Sequence, residues 1–180
     1  FTQLWTKGYP ITGLGSGFDF LGSGHFLRVP MPVWISAALV LLFTVVTRAS
    51  VFGRYLYAIG GNAQAARLSG INLNRMKIGV YALGGLMAGV AGLLLTARLD
   101  SATPSAGIGY ELDSIAAVVI GGTSLNGGRG TIFGTVLGCL IIGILNNGLV
   151  LLNVLPFWQQ VIKGFVILAP VALDRMSSRN

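Results

Sequence analysis

The residues best suited to chemistry are four polar side chains set in apolar segments. Glu111 and Asp113 begin one such segment, and Asn146 and Asn147 lie about two thirds along another. The carboxylates could accept hydrogen bonds from hydroxyl groups or pair with basic residues of a docked protein, but acids at a helix start also favour the helix dipole. An amide pair in hydrocarbon needs partners across helices or in water. We expect these residues either to line a path for a polar solute and its outer gate or to serve local structure.

The remaining residue pattern argues against catalysis, a cofactor or a metal centre. The stretch GGTSLNGGRG, at 121 to 130, has glycines but lacks the lysine and hydroxyl pair of a phosphate-binding loop. One cysteine, Cys139, and one histidine, His25, are too few for a disulfide or a metal cluster. We therefore predict no catalytic residue, no metal and no cofactor, with 121 to 130 as a flexible cytoplasmic connection and Cys139 as a packing residue.

Composition places the chain in a membrane. Of its 180 residues 53% are hydrophobic and only 9% are charged, whereas soluble domains carry about a quarter charged residues. The net charge of +7 comes from basic residues scattered among apolar segments, without the basic run expected of a nucleic-acid-binding protein. We expect lipid contact and no nucleic-acid partner.

The apolar segments predict an all-α, polytopic transmembrane helix bundle forming a single domain over 1 to 180. Four segments approach the twenty or so residues that a span needs: 31 to 47, 78 to 97, 131 to 152 and 157 to 173. A fifth, 112 to 125, would reach only about 21 Å as a helix. About five spans result if this segment crosses, and four if it is re-entrant. Glycine pairs, Gly85 with Gly89 and Gly134 with Gly138, predict close helix contacts.

Loop charge predicts sidedness, because lysine and arginine concentrate in cytoplasmic loops. The loop 48 to 77 carries five basic residues and no acid, which places it inside, whereas 98 to 113 is mainly acidic and is placed outside. Residues 1 to 30 then form an extracytoplasmic loop. If 112 to 125 crosses, Arg129 and the tail with Arg175 and Arg179 lie inside, so we favour the crossing.

The basic loop 48 to 77 contains a short polar segment, NAQAARLSG, that predicts a helix. Asn62 is suited to the N-cap, Ala65 and Ala66 favour helix, and Gly70 supplies the stop. Small side chains leave a shallow face that a groove on a partner can accept, with Arg67 at its rim. We expect this loop to dock another protein.

The same segment carries a family resemblance. QAARLSG, Gln64 to Gly70, resembles the loop motif of ABC importer permeases, Glu-Ala-Ala followed by Gly three residues later, with Gln64 replacing the glutamate. Together with GRYLYAIGGN, SGINLNRMK, GYELDSIAAVVIGGTSLNGGRGTIFGT and NNGLVLL, it makes the whole chain similar to the permease subunits of ribose-type monosaccharide importers. By this resemblance the chain is the C-terminal part of a longer subunit.

The resemblance implies a transport subunit rather than an enzyme: a multi-pass permease of the bacterial inner membrane that imports a monosaccharide, ribose or another pentose being favoured. It implies an ATPase that docks on a cytoplasmic coupling helix formed by Asn62, Gln64, Ala65, Ala66, Arg67 and Gly70. It further implies a periplasmic sugar-binding protein, which Glu111 and Asp113 could meet, and a second permease copy. Two other hypotheses remain open at this point, an ion-coupled carrier or channel without an ATPase and a membrane scaffold that does not transport.

Overall fold

A computed structural model of the chain describes residue 7, residues 9 to 13 and residues 15 to 177. The elements in these residues are mainly helices, joined by short connections. The helices are α1 (Ser16–Ser23), α2 (Met31–Ala49), α3 (Val51–Gly61), α4 (Ala63–Leu68), α5 (Leu73–Leu99), α6 (Tyr110–Ile120), α7 (Ile132–Leu151) and α8 (Pro156–Ser177). The strands are β1 (Ile11–Thr12), β2 (His25–Phe26), β3 (Val29–Pro30) and β4 (Ser101–Ala102).

The helices confirm the predicted all-α class. Three of them, α2, α5 and α7, are long and apolar enough to cross a membrane, judged over the described residues. Each contains one of the predicted spans or nearly all of it. The fourth predicted span, 157 to 173, lies within the continuous helix α8. Arg179, used in predicting sidedness, lies outside the described residues.

The chain divides into two compact units. The first comprises Phe1–Leu42 and Asn74–Ile108. In it β1 pairs antiparallel with β4, with Ile11 opposite Ala102. This pairing joins the loop 1 to 30 to the loop 98 to 113, both of which the sequence places outside, and is consistent with that assignment. Another tight contact lies where Gly22 of α1 meets the backbone of Ala97 near the end of α5.

The second unit comprises Phe43–Leu73 and Gly109–Asn180, and α6 is its central helix, in contact with both α7 and α8. Ala116 and Ala117 of α6 and Ile142 of α7 are buried together, and Ile120 and Val166 pack against them. Small residues let the helices approach closely, so this core is thin. It positions the polar residues described below.

Helices α6 and α7 run antiparallel along each other. Gly134 meets the backbone of Gly121, and Gly138 meets the backbone of Ala117, which confirms the predicted contact for Gly134 and Gly138. The 11 residues of α6 span about 16 Å, and they lie beside most of α7. Because the helix ends at Ile120, it is shorter than the segment 112 to 125, and the crossing of this segment stays a prediction.

Two packing predictions are wrong for the described chain. A side chain at Gly85 or Gly89 would meet no other atom within 4 Å, so these glycines of α5 make no close helix contact among the described residues. Cys139, predicted to be a packing residue, is exposed on α7. Both predictions assumed that another helix packs against these residues. The spacing of residues along a helix does not show which face is covered in this way.

Candidate functional site

Asn62 joins two helices of the basic loop. Its backbone N–H donates to Ala58 O at the end of α3, and its side-chain Oδ1 accepts from Gln64 N and Ala65 N, both at 3.0 Å, at the start of α4. An asparagine oxygen in this position satisfies backbone donors that a helix start leaves free. The predicted N-cap is confirmed, and one residue both ends α3 and begins α4.

Gly70 ends α4 in the way the sequence predicts. Its φ is +84°, a conformation that glycine adopts without the Cβ penalty of other residues. Gly70 N donates to Arg67 O and Ile71 N donates to Ala66 O, both at 3.1 Å. This pair of bonds is the Schellman ending, which satisfies the last free carbonyls of a helix. The result is a six-residue helix with both ends fixed by hydrogen bonds.

The face of α4 differs from residue to residue. Ala66 is buried, whereas Gln64, Ala65 and Arg67 are exposed. Leu68 is also exposed, with 84% of its surface accessible. Arginine is enriched at protein interfaces, and the exposed Leu68 beside Arg67 adds apolar surface. Local sequence signals indicate no role for Leu68, because they do not show which residues of the helix remain exposed.

The glycine-rich loop between α6 and α7 contacts the end of α3. A side chain at Gly60 would lie 2.5 Å from Gly128 N, so the two backbones already touch. Nearby, the Tyr57 hydroxyl donates to Gly130 O at 2.7 Å. Both loops carry the arginines that predict a cytoplasmic position, so the contact is consistent with the predicted sidedness.

This loop is more structured than a flexible connection. After α6, Gly122 N donates to Val119 O and Thr123 N donates to Val118 O, repeating the ending seen at α4. Ser124 N then donates to Arg129 O at 3.0 Å. The glycines are required because Gly122, Gly127 and Gly128 have φ between +76° and +93°. A loop with these bonds holds a defined shape against α3.

A polar cluster connects α6, α7 and α8. Lys163 Nζ lies 3.0 Å from Asp113 Oδ2, and Asn146 Nδ2 donates to the same oxygen at 3.2 Å. The ion pair is largely enclosed, with 25% of the Lys163 side chain and 16% of the Asp113 side chain exposed. Asn146 Oδ1 is buried and has no hydrogen-bond partner among the described residues. The cluster therefore keeps one unused acceptor.

The structure separates the four polar residues singled out in the sequence. Asp113 and Asn146 are brought together, whereas Glu111 and Asn147 are exposed. Glu111 Oε2 accepts from Gly109 N at 3.1 Å, a local bond at the start of α6 that supports its helix-end role. The interhelical hydrogen bond considered for the asparagines is present at Asn146.

Sequence reasoning missed Lys163 as a partner of Asp113. A lysine about 10 Å into its helix can reach the membrane surface, so its position in the sequence does not by itself indicate a partner. The signal that could have found the pair is the lysine itself, since charges within spans usually face the bundle and pair with each other.

The long apolar helices, together with the Lys163–Asp113 ion pair and the structured basic loop, are features of a helical membrane protein. The chain belongs to the family described as "Branched-chain amino acid transport system / permease component", whose model matches residues 5 to 171. This family consists of integral membrane permeases. The family description names amino acids, so membership by itself does not determine the substrate.

Curated relatives carry sugar names. The chain is 54% identical to the ribose import permease protein of Bacillus subtilis strain 168, over 98% of its own length and 56% of that relative. It is 51% identical to the ribose import permease protein of Escherichia coli K12, over 96% and 55%. It is 48% identical to the xylose transport system permease protein of Escherichia coli K12, over 84% and 39%. The chain thus spans about half the length of the ribose permeases, and no solved structure matches it.

Proposed function

We propose that this chain is part of the membrane subunit of an ATP-driven importer that carries a monosaccharide, ribose or another pentose, across the bacterial inner membrane. The observation that carries the proposal is α4, the short helix capped by Asn62 and ended by Gly70, in a chain about half identical to permeases named for ribose and xylose. The names of these relatives favour a sugar over an amino acid as the substrate.

Helix α4 is the proposed docking point for a cytoplasmic ATPase, and we refer to it as the coupling helix. Asn62 and Gly70 set its ends, Ala65 and Ala66 keep it slim, and Gln64, Arg67 and Leu68 offer an exposed mixed surface. Gln64 stands where the family motif has glutamate. A neutral amide removes a charge from the interface, so contact here would depend more on packing and less on ion pairing.

The polar cluster of Asp113, Asn146 and Lys163 is the proposed part of the translocation path. Asn146 lies 14 residues after the start of α7, about 21 Å along that helix, toward the side assigned to the outside. Lys163 neutralises Asp113, which suits a path for an uncharged sugar, and the unused oxygen of Asn146 can accept a hydroxyl when the helices separate. Glu111 and Asn147, at the same end and exposed, are placed at the outer gate.

The proposed mechanism has two states. A periplasmic binding protein delivers the sugar to the outer side, and ATP-driven closure of the ATPase pair displaces the coupling helices of two permease copies. The displacement shifts the helices around the cluster. The shift is between two discrete arrangements, because packed interfaces do not deform continuously. Selectivity among sugars would then rest mainly on the binding protein. Exposed apolar side chains along α2 and α5 would meet lipid or the second copy.

The deciding experiment reconstitutes the full subunit containing this sequence with its ATPase and binding protein in liposomes. Uptake of labelled ribose, xylose, other pentoses and hexoses is measured with and without internal or external ATP. Uptake that requires ATP and prefers a pentose is expected. Uptake driven by an ion gradient without ATP would replace the proposal with an ion-coupled carrier, and a complete assembly with no sugar flux would favour a scaffold.

A further inference from the structure

We propose that the contact between Gly60 and the Gly127–Gly128 backbone is the joint through which movement of the coupling helix reaches α6 and α7, with Gly60 as a positioning residue. This inference rests on the proposed function of an ATP-driven permease. It concerns a contact between the end of α3 and the loop that joins α6 to α7, neither of which belongs to the coupling helix itself.

The coupling helix is directly connected to the helix turn that contains Gly60. Helix α3 ends at Gly61 and α4 begins at Ala63, with Asn62 bonded to both. The two helices also contact one another. No free linker separates them, so a displacement of α4 is passed to the last turn of α3, where Gly60 lies.

The backbones of Gly60 and of Gly127–Gly128 lie in close contact. A Cβ on Gly60 would lie 2.5 Å from Gly128 N, and a Cβ on Gly127 would lie 2.6 Å from Gly60 O. Two backbones can approach this closely only where both lack side chains. The Tyr57 hydroxyl adds a hydrogen bond of 2.7 Å to Gly130 O. The end of α3 is therefore held to the loop at two places.

The loop leads directly into α6 and α7, which are pressed together where Gly121 meets Gly134 and where Ala117 meets Gly138. The far ends of the same helices hold Asp113 and Asn146. A push on the loop thus moves the pair that carries the polar cluster.

Room for such a push is present beside the contact. A cavity of about 310 Å³ borders it, lined mainly by apolar surface from Leu56, Val118 and Ile132 together with the loop backbone. This space allows α3 and the loop to move together without first expelling a tightly packed side chain. The glycine contact then determines how much of the shift the loop receives.

The sequence offers a matched pair of variants. Gly60 and Gly61 are neighbours in the last turn of α3, and neither has a positive φ. A Cβ at Gly60 would strike Gly128, whereas a Cβ at Gly61 meets nothing within 4 Å. Gly60→Ala and Gly61→Ala therefore change helix propensity alike but differ in their effect on the joint.

The test compares sugar uptake per ATP hydrolysed in the reconstituted full importer. Gly60→Ala should still bind the ATPase and hydrolyse ATP, with uptake per ATP lowered by roughly twofold to thirtyfold, the range corresponding to coupling energies of residues between two sites. Gly61→Ala should keep the wild-type ratio. An unchanged ratio in Gly60→Ala overturns the inference, and so does an equal loss in both variants.

A second variant covers the case in which Gly60→Ala does not reach the membrane. Tyr57→Phe removes the hydroxyl that bonds Gly130 and adds no volume, so a lowered uptake per ATP in this variant supports the joint and a normal ratio overturns it. Failure of the proposed function is distinguishable, because the wild-type importer itself would then show no ATP-dependent uptake.

Discussion

Lys163 and Asp113 form an ion pair of 3.0 Å between α8 and α6, and Asn146 of α7 donates to the same carboxylate oxygen. Three helices thus meet at one atom. A largely enclosed carboxylate that loses its cation keeps the cost of desolvation without the compensating attraction. The pair is therefore expected to matter more when one member is removed than when both are.

The first prediction concerns this pair. Lys163→Met should lower the free energy of unfolding of the detergent-solubilised subunit by about 1 to 3 kcal/mol, less than for a fully buried pair because both side chains are partly exposed. The double variant Lys163→Met with Asp113→Asn should recover part of the loss. Thermal unfolding of the four proteins of this cycle measures the coupling, and purely additive effects would contradict the pairing.

The second prediction separates the two asparagines. Asn146→Leu should lower sugar uptake by about tenfold or more, because it removes the bond to Asp113 and the acceptor proposed for a sugar hydroxyl, a combined loss above about 1.4 kcal/mol. Asn147→Leu is the matched control, since that side chain is exposed. Initial rates of labelled sugar uptake at equal membrane levels give the comparison. Equal losses in the two variants would argue for a path along the whole amide pair.

The third prediction tests the start of the coupling helix. Asn62→Ala removes the acceptor of Gln64 N and Ala65 N and should cost about 1 kcal/mol of helix stability, which weakens ATPase association by about fivefold. Asn62→Ser keeps a capping oxygen and should stay near wild type. Titration of the ATPase onto the permease in detergent measures both, and a normal affinity for Asn62→Ala would show that the cap is dispensable for docking.

The fourth prediction tests the end of the same helix. Gly70 has φ +84° with open space around it, so any penalty at this position comes from the backbone and not from a steric clash with a neighbour. Gly70→Val should abolish ATP-driven uptake while the protein remains in the membrane, whereas Gly70→Asn should retain more, because asparagine tolerates this conformation. Uptake is normalised to immunodetected permease. Full transport by Gly70→Val would refute the coupling role of the loop.

The fifth prediction concerns the exposed face of the coupling helix. Leu68→Ser should weaken ATPase association by about tenfold or more if the leucine is a buried anchor of the interface. The unfolding temperature of the free permease should barely change, since 84% of Leu68 is exposed. Ile78→Ser, at an exposed apolar residue outside the coupling helix (70% exposed), is the control. A loss of permease stability in Leu68→Ser would assign the residue to the fold.

Local signals predicted the parts of the structure that depend on neighbouring residues. Asn62 and Gly70 bound α4 because caps act on backbone groups within a few positions, and long apolar runs mark α2, α5 and α7. Contacts between distant segments could not be predicted in this way. The spacing of residues in the sequence predicts neither the Lys163–Asp113 pair nor the contact of Gly60 with Gly128. Each depends on how elements that are distant in the sequence pack together.

The two glycine pairs, on α5 and α7, differ in whether another helix covers them. Gly134 and Gly138 face α6, whereas Gly85 and Gly89 have the same spacing on α5 and face no described neighbour. Spacing defines a face of small residues, but it does not determine whether another helix covers that face. A motif of this kind predicts that close contact is permitted, not that it is made.

Asn62 connects α3 and α4 rigidly, with no flexible linker between them. Because a single residue ends one helix and begins the next, the connection cannot absorb a displacement by extending. A force applied to α4 must either rotate α3 or break the hydrogen bonds that Asn62 makes. The stiffness of this one residue would set how much of each ATP-driven stroke is delivered and how much is dissipated as local unwinding.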